Sequence, residues 1–124
     1  MKVNVKVKLY PDKVKALETA SKSAMEKTAD AILTDITTRQ VVPRDSGTLE
    51  GSGHVVKIDD VYSIIFSTPY ARRLYWHPEY NFRTDKNPNA QGKWMDYYMS
   101  GEGLEWVITT YMTFLKEFAG GLIT

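Results

Sequence analysis

Residues Lys2 to Tyr10 alternate between apolar and polar positions, with Val3, Val5, Val7 and Leu9 on one side and Lys2, Asn4, Lys6 and Lys8 on the other. A period of two belongs to a β-strand with one buried face, and lysines on the other face also guard a sheet edge against unwanted pairing. From Pro11–Asp12 to about Gln40 the period changes. Leu17, Ala20, Ala24, Met25, Thr28, Ala31, Ile32 and Ile36 recur at helical spacing, while Lys13, Lys15, Glu18, Lys22, Glu26 and Lys27 occupy other faces. Many of the stripe residues are small, so the helix can lie close to the sheet it covers. Val42–Pro43 predicts the break, because proline disfavours helical geometry in the residue before it.

The stretch from Pro43 to Gly53 is dense in turn formers and reads as an ordered loop or a short turn of helix. Two β-type runs follow, His54 to Ile58 and Val61 to Thr68, and the Asp59–Asp60 pair between them predicts a hairpin. Alternation places Val56 and Ile58 on one face of the first run, and Tyr62, Ile64 and Phe66 on one face of the second. Val3, Val5, Val7, Ile58, Ile64 and Phe66 are therefore expected in one core with the Leu17 to Ile36 stripe. Pro69 to His77 suits a short helix. Pro78 to Lys93 is too rich in Asn, Pro, Asp and Gly to be regular, and a final helix is expected from about Gly103 to the Gly120–Gly121 stop. The predicted class is α+β: a small antiparallel sheet, made of the N-terminal strand plus the hairpin, packed against a long N-terminal helix. A short helix, a long loop and a C-terminal helix complete it.

Composition narrows the function classes. At 124 residues, with 43% hydrophobic and 25% charged, the chain reads as one globular domain over residues 1–124. Cysteine is absent, which removes disulfides, thiolate zinc sites and cysteine nucleophiles. No run of about 18 apolar residues occurs, so no membrane partner is expected. Lysines interrupt the apolar positions at the N-terminus, which argues against a secretory signal and for an intracellular, soluble protein. Sixteen basic against fifteen acidic residues give a formal charge of +1, too balanced for a protein that coats nucleic acid, so such contact is at most local and incidental.

No residue pattern offers recognisable catalytic machinery, a metal site or a cofactor site. His54 and His77 lack a metal-ligand spacing, and His77-Pro78-Glu79 reads more simply as a loop histidine beside a carboxylate. Ser46 and Ser52 sit outside a nucleophile elbow. The turn residues Pro43, Asp45, Ser46 and Gly47 are explained by local side-chain hydrogen bonds and glycine's tolerance of positive φ. Asp59 and Asp60 point to opposite faces of a strand, and Gly47, Gly51 and Gly53 are not followed by the Lys-Ser/Thr of a phosphate loop.

One segment combines cations with rings. Between Tyr70 and Trp94, Arg72, Arg73, Arg83, Lys86 and Lys93 face only Glu79 and Asp85, alongside Tyr70, Tyr75, Trp76, Tyr80, Phe82 and Trp94. Arginine, tyrosine and tryptophan are enriched at protein–protein hot spots, so Arg72, Arg73, Tyr75, Trp76, Tyr80, Phe82 and Arg83 are the candidate assembly interface. Two other readings stay open. The rings can be core, a close second, or they can stack on nucleic-acid bases, which the balanced charge disfavours. A small hydrolase or nuclease built on His77 is a further rival.

The strings VPRDSGTLEGSG and TPYARRLYWHPEYNFRTDKNPNAQGKW, on either side of the expected hairpin, resemble those of small minor capsid or head–tail connector proteins from phage and prophage morphogenesis clusters. The first string is also similar to the broader tail-completion family. Pro43, Asp45 and Gly47 match the loop; Tyr70, Ala71, Arg72, Arg73, Tyr75, Asn81, Phe82, Asn87, Pro88 and Trp94 match the second motif. The resemblance implies a non-enzymatic subunit of the virion, present in the host cytoplasm during assembly. It also implies self-association into a ring at the portal–tail junction, with portal, connector or tail proteins as partners.

Overall fold

The structure, a computed structural model, describes residues 10–44 and 47–120. The expected strand at Lys2 to Leu9, with Val3, Val5 and Val7, lies outside these residues. The first helix, α1, spans Pro11–Arg39 and is about 43 Å long at the usual rise. Pro11 occupies its first turn, where the missing N–H costs nothing, and Asp12 complements the positive end of the helix dipole. The helix stops at Arg39, one residue from the expected end at about Gln40. Gln40 takes left-handed geometry, with φ 56°, and donates its N–H to the Thr37 carbonyl. Val41 and Val42, 2% and 0% exposed, then enter the core.

A four-residue helix, α2 (Thr48–Gly51), follows Gly47, whose φ of +89° is the left-handed conformation that glycine tolerates. Strands β1 (Gly53–Ile58) and β2 (Val61–Phe66) then form an antiparallel pair, the whole sheet among the described residues. Asp59, at φ 56°, makes the tight turn between them. The register pairs Gly53 with Phe66, Val55 with Ile64 and Ile58 with Val61. Directly opposed residues share a face, so Val55, not Val56, lies on the face of Ile64 and Phe66. Ile58 is 63% exposed and its expected place in the core is incorrect. Adjacent valines leave the phase of the strand ambiguous in sequence, and packing sets it. A side chain at Gly53 would meet the Phe66 ring at 2.8 Å and Leu33 at 2.9 Å, so Gly53 is where Phe66 and α1 close over the sheet.

Helix α3 (Ala71–Tyr75) leads into the irregular segment, which ends in a 3-10 turn at Asp96–Met99 that the sequence pattern did not predict. Helix α4 (Gly101–Ala119) begins two residues earlier than expected and stops at Gly120. It runs antiparallel to α1: Ser21, in the first half of α1, meets the hydroxyl of Tyr111, in the second half of α4, at 2.7 Å, and Tyr98, just before α4, donates its hydroxyl to Asp35 Oδ2, near the end of α1, at 2.5 Å. Ala20, Ala24, Thr28, Ala29 and Ile36 are the buried residues of α1, and the small ones permit the close approach. Met25 is only partly covered, at 37% exposed. The core gathers Ile36, Val41, Val42, Leu49, Ala71, Tyr75, Trp94 and Tyr98, with Ile32, Phe66 and Val107 packed against it.

Ile36→Ala is expected to cost about 2–5 kcal/mol, as for other core truncations, whereas Ile58→Ala should stay within about 0.5 kcal/mol. Equilibrium urea unfolding of the two variants checks the contrast. Burial, reinforced by the Asp35 hydrogen bond, pushes the Tyr98 phenol up to about 12 from its usual 10.0. Its contribution to stability is therefore complete below pH 10 and is lost as the pH rises toward 12. Tyr98→Phe should flatten that part of an alkaline unfolding profile.

Candidate assembly surface

Helical spacing sorts the residues of α3 into two groups. Ala71 and Tyr75, four apart, are buried and Leu74 is half-buried, so Arg72 and Arg73 face solvent together with Trp76, which is 59% exposed. The Tyr75 ring packs edge-to-face against Trp94 at 4.9 Å, and Phe66 meets Trp94 in the same way at 5.5 Å. The Tyr75 hydroxyl donates to Asp96, and burial followed by that hydrogen bond raises its pKa. Tyr75 is thus a core residue, 8% exposed. It supports the surface from beneath and is unavailable to a partner.

The segment after α3 is irregular yet tied down. Lys93 N–H donates to the Tyr75 carbonyl at 2.8 Å and Gln91 N–H to the Val41 carbonyl at 2.9 Å. Asn87 is 1% exposed; its amide donates to the Val42 carbonyl at 2.8 Å and to Glu50 Oε2 at 3.2 Å, and Glu50 also pairs with Arg44 at 3.5 Å. Asn89 donates to the carbonyl of Arg39, at the end of α1. Where the two ends of the segment meet, a Cβ on Gly92 would come within 2.7 Å of Pro78 Cα. Sequence alone did not show which of the polar residues turn inward. Asn87 stood out only as a match to the resembled motif.

The outer side carries the remaining candidates. His77 stacks on Tyr80 at 4.7 Å and bonds Glu79 through Nδ1 at 2.7 Å, which lowers the Glu79 pKa. Arg73 Nε donates to the Tyr80 hydroxyl at 3.2 Å. Phe82 is half-buried, and Arg83 pairs with Asp85 through two hydrogen bonds of 2.8 and 2.6 Å, holding that carboxyl at about 2. Lys93 lies 5.8 Å from the Trp76 ring centre. Arg72 has no ion pair or side-chain hydrogen bond among the described residues. The structure therefore brings Arg72, Arg73, Trp76 and Lys93 into one exposed cationic patch around an indole, with Tyr80 and His77 beside it.

Of the turn residues, Pro43 is buried and Gly47 is left-handed, while Asp45 and Ser46 lie outside the described residues. His54 bonds the Ser52 carbonyl at 2.8 Å. No cluster of metal-ligating side chains occurs among the described residues, nor is any of their helices long and apolar enough to cross a membrane.

A family model of minor capsid proteins matches residues 1–110. The chain belongs to the minor capsid protein family. No curated protein and no solved structure matches it. As a member of a phage minor capsid family it is a structural protein of the virion that interacts with other virion proteins. For such a minor capsid protein, an exposed indole ringed by cations on a firmly anchored segment is the natural place to look for contacts.

Replacing Asn87 by leucine leaves the Val42 carbonyl without its donor and Glu50 dependent on Arg44. The expected cost is about 1–3 kcal/mol, the usual penalty for stranding buried polar groups, and faster amide exchange at Gln91 and Lys93 should accompany it.

Proposed function

We propose that this minor capsid protein joins head to tail at the portal–tail junction, assembling into a ring and docking on portal, connector or tail proteins through the face built on α3 and the 77–94 segment. One observation carries the reading. Of the large rings between Tyr70 and Trp94, Trp76 is the most exposed, at 59% against 41% for Tyr70, and it stands among Arg72, Arg73 and Lys93. Tryptophan and arginine are the residue types enriched at the hot spots of protein interfaces. The junction itself is supported by the resemblance of the two motifs to head–tail connector and tail-completion proteins. The subunit acts in the host cytoplasm during assembly and remains in the particle.

Arg72→Glu combined with Arg73→Glu should change thermal unfolding little, since both side chains face solvent and the Arg73–Tyr80 hydrogen bond that is lost is exposed. The yield of joined, infectious particles should fall at least about tenfold, as expected when like charges are forced together at an interface. A normal yield refutes the proposal. Tight, strongly salt-dependent binding of DNA by the unaltered chain, lost in the double variant, would reassign the same patch to nucleic acid.

A further inference from the structure

Arg72, Arg73 and Lys93, the cations around Trp76, make no ion pair among the described residues. Arg73 instead lies 5.8 Å from the centre of the Tyr80 ring and bonds its neutral hydroxyl, and Lys93 sits at the same distance from the Trp76 ring centre. The acids of the segment are engaged elsewhere. Glu79 bonds His77, with Lys93 contributing only the smallest part of the fall in its pKa, and Asp85 is held by Arg83. Arg72 and Arg73 stand four and three residues before Trp76, the spacings at which side chains of a helix are neighbours. With Pro69 and His77 these three line an open cleft of about 420 Å³, and no carboxylate is among its walls. Its volume falls within the range of ligand pockets.

Like charges held together without a counter-charge repel one another. A partner that brings carboxylates relieves the repulsion and gains the paired hydrogen bonds that a guanidinium fork offers. We propose that this cleft takes an acidic peptide segment of another virion protein, with an apolar side chain on the Trp76 indole against Pro69 and flanking carboxylates on Arg72 and Arg73. The inference rests on the reading of Trp76 and its arginines as an assembly surface, and adds the chemistry of the partner. A strand of nucleic acid fits less well, because it calls for a cationic groove with successive stacking rings. No such run is free beside Trp76. His77 and Tyr80 stack on each other, Tyr75 is core, Phe82 is half-buried, and Tyr70 lines a different cleft beside Arg44. The formal charge of +1 also gives the chain little attraction for a polyanion.

Three probes test this against the full chain: a peptide with a leucine between aspartates, the same peptide with asparagines in their place, and a short oligothymidylate. The indole N–H resonance of Trp76, assigned by its loss in Trp76→Phe, reports binding. At low salt the aspartate peptide should bind about tenfold more tightly than the asparagine peptide, and added salt should shrink the difference. Arg72→Gln with Arg73→Gln should abolish that preference. Arg72→Lys with Arg73→Lys should keep part of it, because the charge survives while the fork is lost, and this separates a lost charge from a disturbed fold. Equal binding of the two peptides, binding of neither, or a preference untouched by the glutamine pair overturns the inference. Tighter binding of the oligothymidylate than of the aspartate peptide overturns it as well and gives the cleft to nucleic acid. Where the peptides fail, a loss of joined particles with Arg72→Glu and Arg73→Glu still supports the assembly surface, with a partner of other chemistry. Normal particle yield in that variant removes both.

Discussion

The burial of Trp94 organises the second half of this chain. Its side chain is 1% exposed and is met edge-on by Phe66 from the hairpin and Tyr75 from α3. An aromatic cluster of this kind contributes both a large buried area and a preferred ring geometry. It therefore fixes the hairpin, the short helix and the end of the irregular segment relative to one another. Tyr75 then hands the constraint to Asp96, and so to the 3-10 turn from which α4 starts.

Around that cluster, a segment without regular structure is kept in place by polar pins rather than by a ladder. Asn87 reaches the Val42 carbonyl and Glu50, Asn89 reaches the end of α1, and the amides of Gln91 and Lys93 bond the backbone of Val41 and Tyr75. Together the pins join the segment to α1, to the Val41–Val42 stretch after it, to α2 and to α3. A loop fixed in this way can present side chains to a partner without a large ordering cost on binding, which suits a structural subunit of a virion.

The division of the aromatic residues links folding to assembly. Tyr75 and Trp94 support the core, whereas Trp76, the next residue after Tyr75, faces solvent because a helix turns by about 100° per residue. A single step along the chain separates a ring that holds the fold from one proposed to hold a neighbour. Helix α4 shows the same split, with Val107 and Tyr111 turned toward α1 and Leu104 and Ile108 left uncovered.

Periodicity by itself determined the long first helix, the hairpin, the short helix after Pro69 and the final helix, because each is set by local spacing and by turn formers at its ends. Its two motifs also pointed to the virion. The tertiary structure alone decided which of Val55 and Val56 shares the face of Ile64 and that Ile58 stays in water. It also decided that Tyr75 belongs to the core while Arg72, Arg73 and Trp76 do not. Those outcomes depend on which neighbour arrives across the chain: Phe66 over Gly53, Trp94 against Tyr75, the Val41–Val42 pair drawn into the core. Local spacing carries no information about contacts between residues so far apart in sequence, and burial is a property of such contacts.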